Sequence, residues 1–275
     1  MNEMRPTSDH TRAGVNAATD TSLLRHALNA YHESAWFLKQ DYFLRVSDVE
    51  AAFSLLSLHP DSWGFFLFRF FSNPSTASDL TQLLYLHICE HFDVADMPGA
   101  CKIFFVDLIR GMAHYCNVLT LPMMIYVDDC GLVGACTAEV DAKMLAFHVW
   151  VLNVCGIILK AIKDRVAARC QLMLGFWWDS ATLTRTLDEC KLLSYIDMLA
   201  EYAHAPSLSL WELQCVAGRM KRAIMNFPLG TACLLVSIFT LTVGLKLPWH
   251  RRRTTRRVRG DFSFIASLLL SRPDG

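Results

Sequence analysis

No two of the ten cysteines stand in C-x-x-C spacing. That absence excludes a zinc knuckle or ribbon of the usual pattern. It leaves the reduced thiols of an intracellular protein, cytoplasmic or nuclear, as the simplest expectation. The chain also lacks a signal-peptide pattern at its start, where the first twenty residues are polar. It lacks an excess of either charge sign, with 26 Lys and Arg against 26 Asp and Glu, so net charge alone does not draw it to nucleic acid. Charge is sparse altogether: 19% of residues are charged and 53% are hydrophobic, a balance that excludes a disordered chain. At 275 residues the chain can bury one large core or two.

The charge that is present is unevenly spread. Residues 1–100 carry 6 Lys and Arg against 12 Asp and Glu, whereas residues 246–275 carry 8 against 2. The run Arg251-Arg-Arg-Thr-Thr-Arg-Arg-Val-Arg259 is the main positive block. Such a block suits phosphate contact and equally suits the solvated flank of a helix or loop. Just before it, residues 229–245 are nearly uncharged and apolar, bracketed by Pro228 and Pro248. With a cationic flank this stretch mimics a membrane span, at the short edge of the required length. A membrane tether and a buried helix are the two readings; the buried helix is the expectation, with no membrane partner.

The chemistry concentrates in Leu121-Pro-Met-Met-Ile-Tyr-Val-Asp-Asp-Cys-Gly-Leu-Val-Gly134. Two apolar, strand-forming stretches flank Asp128 and Asp129, a pattern that predicts a β-hairpin with both acids at its tip. Adjacent like charges are costly unless a cation is held there, although Asp is also common in turns for local hydrogen bonding alone. Upstream, Asp48 ends a short apolar strand containing Phe43, Leu44 and Val46, and Phe53 follows five residues later. Three carboxylates on adjacent strands can bind two divalent ions about 4 Å apart, the arrangement used for in-line phosphoryl transfer. Hard oxygen ligands suit Mg²⁺, with Mn²⁺ as a substitute.

These residues resemble those of the reverse transcriptases of retroelements, with a flavour closest to DIRS-type or LTR-like elements. Tyr126-Val-Asp-Asp129 resembles the YxDD active-site turn, and Asp48 with Phe53 resembles the first catalytic strand. The resemblance implies an α+β fold, a right-hand polymerase with palm and fingers followed by a helical thumb. It places fingers and palm at 1–178, thumb-like helices at 179–245 and a basic connection-like tail at 246–275. It implies an RNA-directed DNA polymerase, a magnesium-dependent nucleotidyltransferase of a retrotransposon, with Asp48, Asp128 and Asp129 catalytic. Asp48, the Val49 carbonyl, Asp128 and Asp129 are the implied metal ligands. Phe53 is the implied gate against a 2′-hydroxyl. Template RNA or DNA with a primer, and dNTPs, are the implied partners. Other domains of a polyprotein are expected alongside, because no ribonuclease H carboxylate set occurs.

Further segments follow the same family order. Arg5-Pro-Thr-Ser-Asp9, with Arg12 and Asn16, resembles the fingers motif and places Arg5 near the nucleotide. Gly156-Ile-Ile-Leu-Lys-Ala-Ile-Lys163 resembles the segment ending in a lysine near the leaving pyrophosphate, with Lys163 in the matching position and Lys160 its neighbour. Leu174-Gly175-Phe176 resembles the primer grip; Trp177 and Trp178 beside it suit either nucleic-acid stacking or a core. One stretch departs from the pattern: Phe92-Asp-Val-Ala-Asp-Met-Pro-Gly-Ala100 stands where the family has a Leu-Pro-Phe-Gly-like box. A decayed relative that binds nucleic acid as a scaffold would show the same departure.

Periodicity predicts helices over Thr21–Phe37, over Ala100–Tyr115 with Ile103, Phe104, Leu108 and Met112 inward, and over Glu139–Leu159. Two more begin near Leu187 and Ser209. Strands are predicted over Phe43–Val46 and Phe65–Phe71. His87-Ile-Cys-Glu-His91 matches an inverted zinc-protease signature. That chemistry needs a helix, and on the strand that the local pattern also fits, the imidazoles lie about 13 Å apart.

Overall fold

The structure, a computed structural model, describes residues 30–50, 52–57, 60–61, 67–71, 82–86, 97–160, 164–223 and 235–271. Helix and sheet are mixed throughout, as an α+β fold requires. Contacts divide the chain into two compact units, Met1–Arg169 and Cys170–Gly275.

The first unit is built on an antiparallel sheet in the order β1-β5-β4, comprising β1 (Phe43–Asp48), β4 (Met123–Tyr126) and β5 (Asp129–Gly134). Paired residues share a face of an antiparallel sheet. Met123, Ile125, Cys130 and Leu132 therefore turn one way, into a core with Phe105, Ile109, Met144 and Phe147. Leu44, Val46, Met124 and Val133 turn the other way and are also buried. The central strand β5 is thus covered on both faces, which its run of small and apolar residues permits. A second hairpin pairs β2 (Leu67–Phe71) with β3 (Gln82–Leu86). Helix α1 (Ala30–Phe37) lies within the predicted Thr21–Phe37; residues 21–29 fall outside the described residues.

The helix expected over Ala100–Tyr115 exists, but its inward face differs. It starts as α2 (Met97–Cys101), continues as a π-helix over Lys102–Arg110, and closes as α3 (Gly111–Tyr115). Buried positions are Cys101, Phe105, Val106, Ile109 and Ala113, whereas Ile103, Leu108 and Met112 are exposed. The buried residues Cys101, Phe105, Ile109 and Ala113 recur every four positions, one position after the expected Phe104, Leu108 and Met112, so the difference is one of phase, and Phe104 still packs against the core's edge.

Helix α4 (Thr137–Cys155) buries Val140, Met144, Phe147 and Val151 against the sheet. It ends four residues before the expected Leu159, because Gly156 adopts φ +68° and its N–H bonds back to the Leu152 carbonyl. A left-handed glycine is the ordinary helix stop. Beyond Gly156, isolated bridges join Leu159 to Val49 and Ala168 to Leu44, both beside or at the end of β1. Arg45 fastens this flank. Its guanidinium is nearly buried and reaches Asp164 at 2.7 and 3.0 Å and Asp141 at 3.0 Å.

The second unit holds a three-stranded antiparallel sheet, β6 (Cys170–Met173), β7 (Phe176–Asp179) and β8 (Thr184–Leu187). Helix α5 (Glu189–His204) packs on α8 (Arg256–Leu270), with Tyr202 edge-on to Phe262 at 6.3 Å. The helix expected at Ser209 is α6 (Leu210–Ala223). Ser209 and Glu212 form a reciprocal capping box there, Ser209 N–H to Glu212 at 2.6 Å and Glu212 N–H to Ser209 Oγ at 3.2 Å.

Within the apolar stretch 229–245 the described helix is α7 (Leu235–Thr242), eight residues long. Ile238 is buried, while Val236 and Phe239 are exposed. This helix packs with α6 and α8, so its burial is partial and lies within the second unit. Among the described residues no helix is long and apolar enough to cross a membrane. Part of the basic run is also structural. Strand β10 (Arg251–Arg253) pairs with β9 (Ser207–Ser209), and Arg251 bonds to the Ser207 carbonyl at 2.7 Å.

Candidate active site

β4 and β5 are joined by the two residues Val127 and Asp128, with Tyr126 paired to Asp129. Val127 takes φ +58°, a left-handed conformation that a β-branched side chain rarely adopts. Strain of this kind persists where neighbours over-determine the backbone. Here the Val49 N–H donates to the Asp128 carbonyl at 2.8 Å and ties the turn to the end of β1. Register then does the rest. Asp48 is the direct cross-strand partner of Asp129, and Asp128 stands at the bend beside them.

Carboxylate oxygens of Asp48, Asp128 and Asp129 lie within 4.8 Å of one another. Asp48 is fully buried and the other two are half-buried. Burial, with the negative charges of Asp48 and Asp129 added, raises the Asp128 carboxyl to about 6. Burial and the same carboxylates push the Cys130 thiol up, so it stays protonated and unreactive at neutral pH. The donor set is three hard oxygens converging from two strands and a turn, and it fits divalent metal of the magnesium type. Among the described residues this is the one such cluster.

One cation is already present at the cluster. Lys160 Nζ stands 2.6 Å from Asp48 Oδ2. Its position follows from the bridge beside β1: Lys160 N–H donates to the Asp48 carbonyl at 2.7 Å, and Glu50 N–H to the Ile158 carbonyl at 2.8 Å. The first of these bonds uses the carbonyl of Asp48 and not that of Val49, the carbonyl expected to face metal.

No family model matches the sequence, and no curated protein matches it. Solved structures do match. The foamy viral protease-reverse transcriptase in complex with an RNA/DNA hybrid aligns with a TM-score of 0.58 and 17% identity, over 90% of this chain and 29% of that one. The dRH form of that protein, in complex with double-stranded DNA, aligns with a TM-score of 0.58 and 17% identity, over 89% and 38%. A third structure, again with double-stranded DNA, gives a TM-score of 0.57 and 18% identity, over 94% and 48%.

The chain has a reverse-transcriptase-like fold. It spans less than half the length of each of these foamy viral chains.

The other residues singled out in the sequence fall in several places. Arg5, Arg12, Lys163, His87 and His91 lie outside the described residues. Phe53 sits in the 3₁₀ turn Ala52–Leu55 that follows β1; its side chain is likewise outside them. Leu174, Gly175 and Phe176 belong to the second unit, where Leu174 and Gly175 form the β6–β7 turn with φ +54° and +77°. Successive positive φ values fit a tight hairpin. Of the two tryptophans, Trp178 is core: it is buried and its indole N–H donates to the Met173 carbonyl at 3.1 Å.

Residues that motif reading passed over surround that turn. The Arg222 guanidinium donates to the Leu174 carbonyl and lies 5.6 Å from the Phe176 ring centre. Arg185 covers Phe176 and Trp178 at 5.1 and 5.2 Å. A Cβ on Gly175 would run into Lys191 Nζ and crowd the Arg222 guanidinium, so the turn is closely lined with cations. Arg222 closes α6, where its only signal in the sequence was a basic residue in a last turn.

Proposed function

We propose that the chain is the polymerase part of a reverse transcriptase, an RNA-directed DNA polymerase that adds dNTPs to a primer 3′-hydroxyl. The observation that carries this reading is the convergence of Asp48, Asp128 and Asp129 from β1 and the β4–β5 turn within 4.8 Å. The reverse-transcriptase-like fold supports it, and the foamy viral neighbours are bound to RNA/DNA hybrid or double-stranded DNA.

In this reading Asp48, Asp128, Asp129 and the Val49 carbonyl hold two Mg²⁺ ions, which supply charge neutralisation at the triphosphate and a lowered pKa at the attacking hydroxyl. The chain's own residues set the geometry. The Asp48–Asp129 pairing fixes two carboxylates on one sheet face, and the Val49–Asp128 hydrogen bond holds the third at the bend. Phe53 restricts the sugar to the deoxy form. Arg5 and Lys163 face the triphosphate. Leu174, Gly175 and Phe176 position the primer end, with Arg222 and Arg185 bracing that turn. Residues 1–178 act as fingers and palm, 179–245 as thumb and 246–275 as connection, within a retroelement polyprotein of the DIRS or LTR-like type that works inside the cell.

Primer extension on poly(rA)·oligo(dT) with Mg²⁺ is the test. The expected result is extension by the native chain and its loss in Asp128→Asn with the fold retained. Extension by Asp128→Asn at the native rate would overturn the assignment. A second reading, a nucleic-acid-binding scaffold without catalysis, is favoured by the departure at Phe92–Ala100. It predicts binding of the hybrid by the native chain with no extension under either metal.

A further inference from the structure

We infer that Lys160 is a built-in counter-cation that holds Asp48 in the metal-free protein and must be displaced when divalent metal binds. The inference rests on the proposed metal site and adds a residue to it. Three carboxylates gathered in a half-buried cluster repel one another, and a fully buried Asp48 cannot rely on water for compensation. Lys160 supplies that compensation from both its parts. Its backbone N–H bonds to the Asp48 carbonyl at 2.7 Å, and its ammonium bonds to the Asp48 carboxylate at 2.6 Å.

The exposures of the two side chains decide which partner can leave. The Asp48 side chain is 0% exposed and that of Lys160 is 25% exposed. Asp48 is fixed at the end of a strand. The ammonium sits on a flexible four-carbon stem that reaches solvent, so it can swing away while its stem stays packed. The ammonium holds Asp48 Oδ2, and a divalent ion drawn to the same carboxylate is repelled by a cation fixed 2.6 Å from it. The two cations are therefore competitors for Asp48, and the apparent metal affinity includes the loss of the lysine contact.

Two measurements on the full chain test this, with Mn²⁺ alone as the probe. In calorimetric titrations Lys160→Met is expected to bind Mn²⁺ on the order of tenfold more tightly than the native chain. Its metal-free melting temperature is expected to fall, and added Mn²⁺ is expected to raise it by more than in the native chain. Lys160→Arg, which keeps the charge, is expected to bind Mn²⁺ no more tightly than native. Equal or weaker Mn²⁺ binding by a folded Lys160→Met overturns the inference and leaves the metal site standing. The second measurement needs no variant: amine acylation of the native chain, read at Lys160 by mass spectrometry, is expected to increase on addition of Mn²⁺. Unchanged acylation under saturating Mn²⁺ overturns the inference. Absence of Mn²⁺ binding by both native and Lys160→Met chains removes the metal site and this inference together.

Discussion

Asp48 and Asp129 face each other as directly paired residues across the β1–β5 ladder. Like charges directly opposite in a sheet weaken it. The pairing therefore carries a cost in the metal-free chain, which the Lys160 ammonium offsets from the Asp48 side.

Replacing Asp129 by Asn removes one of the opposed charges while keeping the shape. Metal-free stability in urea is expected to rise by about 0.5 kcal/mol, while Mn²⁺ binding weakens. A fall in stability would mean that the pairing is not repulsive.

Asp128 makes the same point through pH. Its carboxyl stands at about 6 in the folded chain against an ordinary 3.8, chiefly through burial and then through Asp48 and Asp129. Between those values the folded state keeps a proton that the unfolded state releases. The stabilisation from this group is complete below the lower value and is lost as pH rises through the higher one. Metal needs the ionised form, so Mn²⁺ affinity runs the opposite way and climbs through the same interval. The check is the difference between native and Asp128→Asn chains in urea midpoint from pH 4.5 to 7.5, which isolates this group from other titrations.

Arg45 holds Asp141 and Asp164 together beside β1, at 3.0 and 2.7 Å. Arg45→Met leaves both carboxylates without their partner and is expected to cost about 3 kcal/mol, the lower end for breaking a buried pair, because the acids retain some solvent. Urea unfolding measures it. Arg45→Lys keeps the charge but not the fork, and recovers only part of the loss.

Gly175 at φ +77° belongs to a turn that an L side chain strains. Gly175→Ala is expected to cost about 1–2 kcal/mol in thermal or urea unfolding. It also displaces the Lys191 and Arg222 side chains that close over it. In primer extension the expected signature is a raised apparent KM for primer–template.

The three clustered carboxylates were legible in the sequence because their signals are local: apolar, strand-forming stretches on both sides of Asp128 and Asp129, and an acid closing the Phe43–Val46 run. Their convergence needed one further assumption, that the two segments pair, and the register from Phe43–Gly134 to Asp48–Asp129 supplies it. The helix around Phe105 was legible as a helix and misread as to its face, because the run Ile103-Phe-Phe-Val106 is apolar on every side and leaves the phase of the buried stripe open. The end of α4 was set too late because three apolar residues, Ile157, Ile158 and Leu159, follow Gly156, and composition alone does not separate an apolar strand from an apolar helix. Arg222 and Arg185 carried no motif. Their contacts join residues 48 positions apart and across a ladder, distances at which spacing is silent.

The stop that Gly156 imposes on α4 frees the next residues to lie beside β1. Leu159 bridges Val49, and the N–H of Lys160 bonds to the Asp48 carbonyl. A single residue inserted between Leu159 and Lys160 would break that register and carry the ammonium off the acids. The charge balance of the cluster thus depends on the backbone alignment of a neighbouring segment, with no change to any of the three acids.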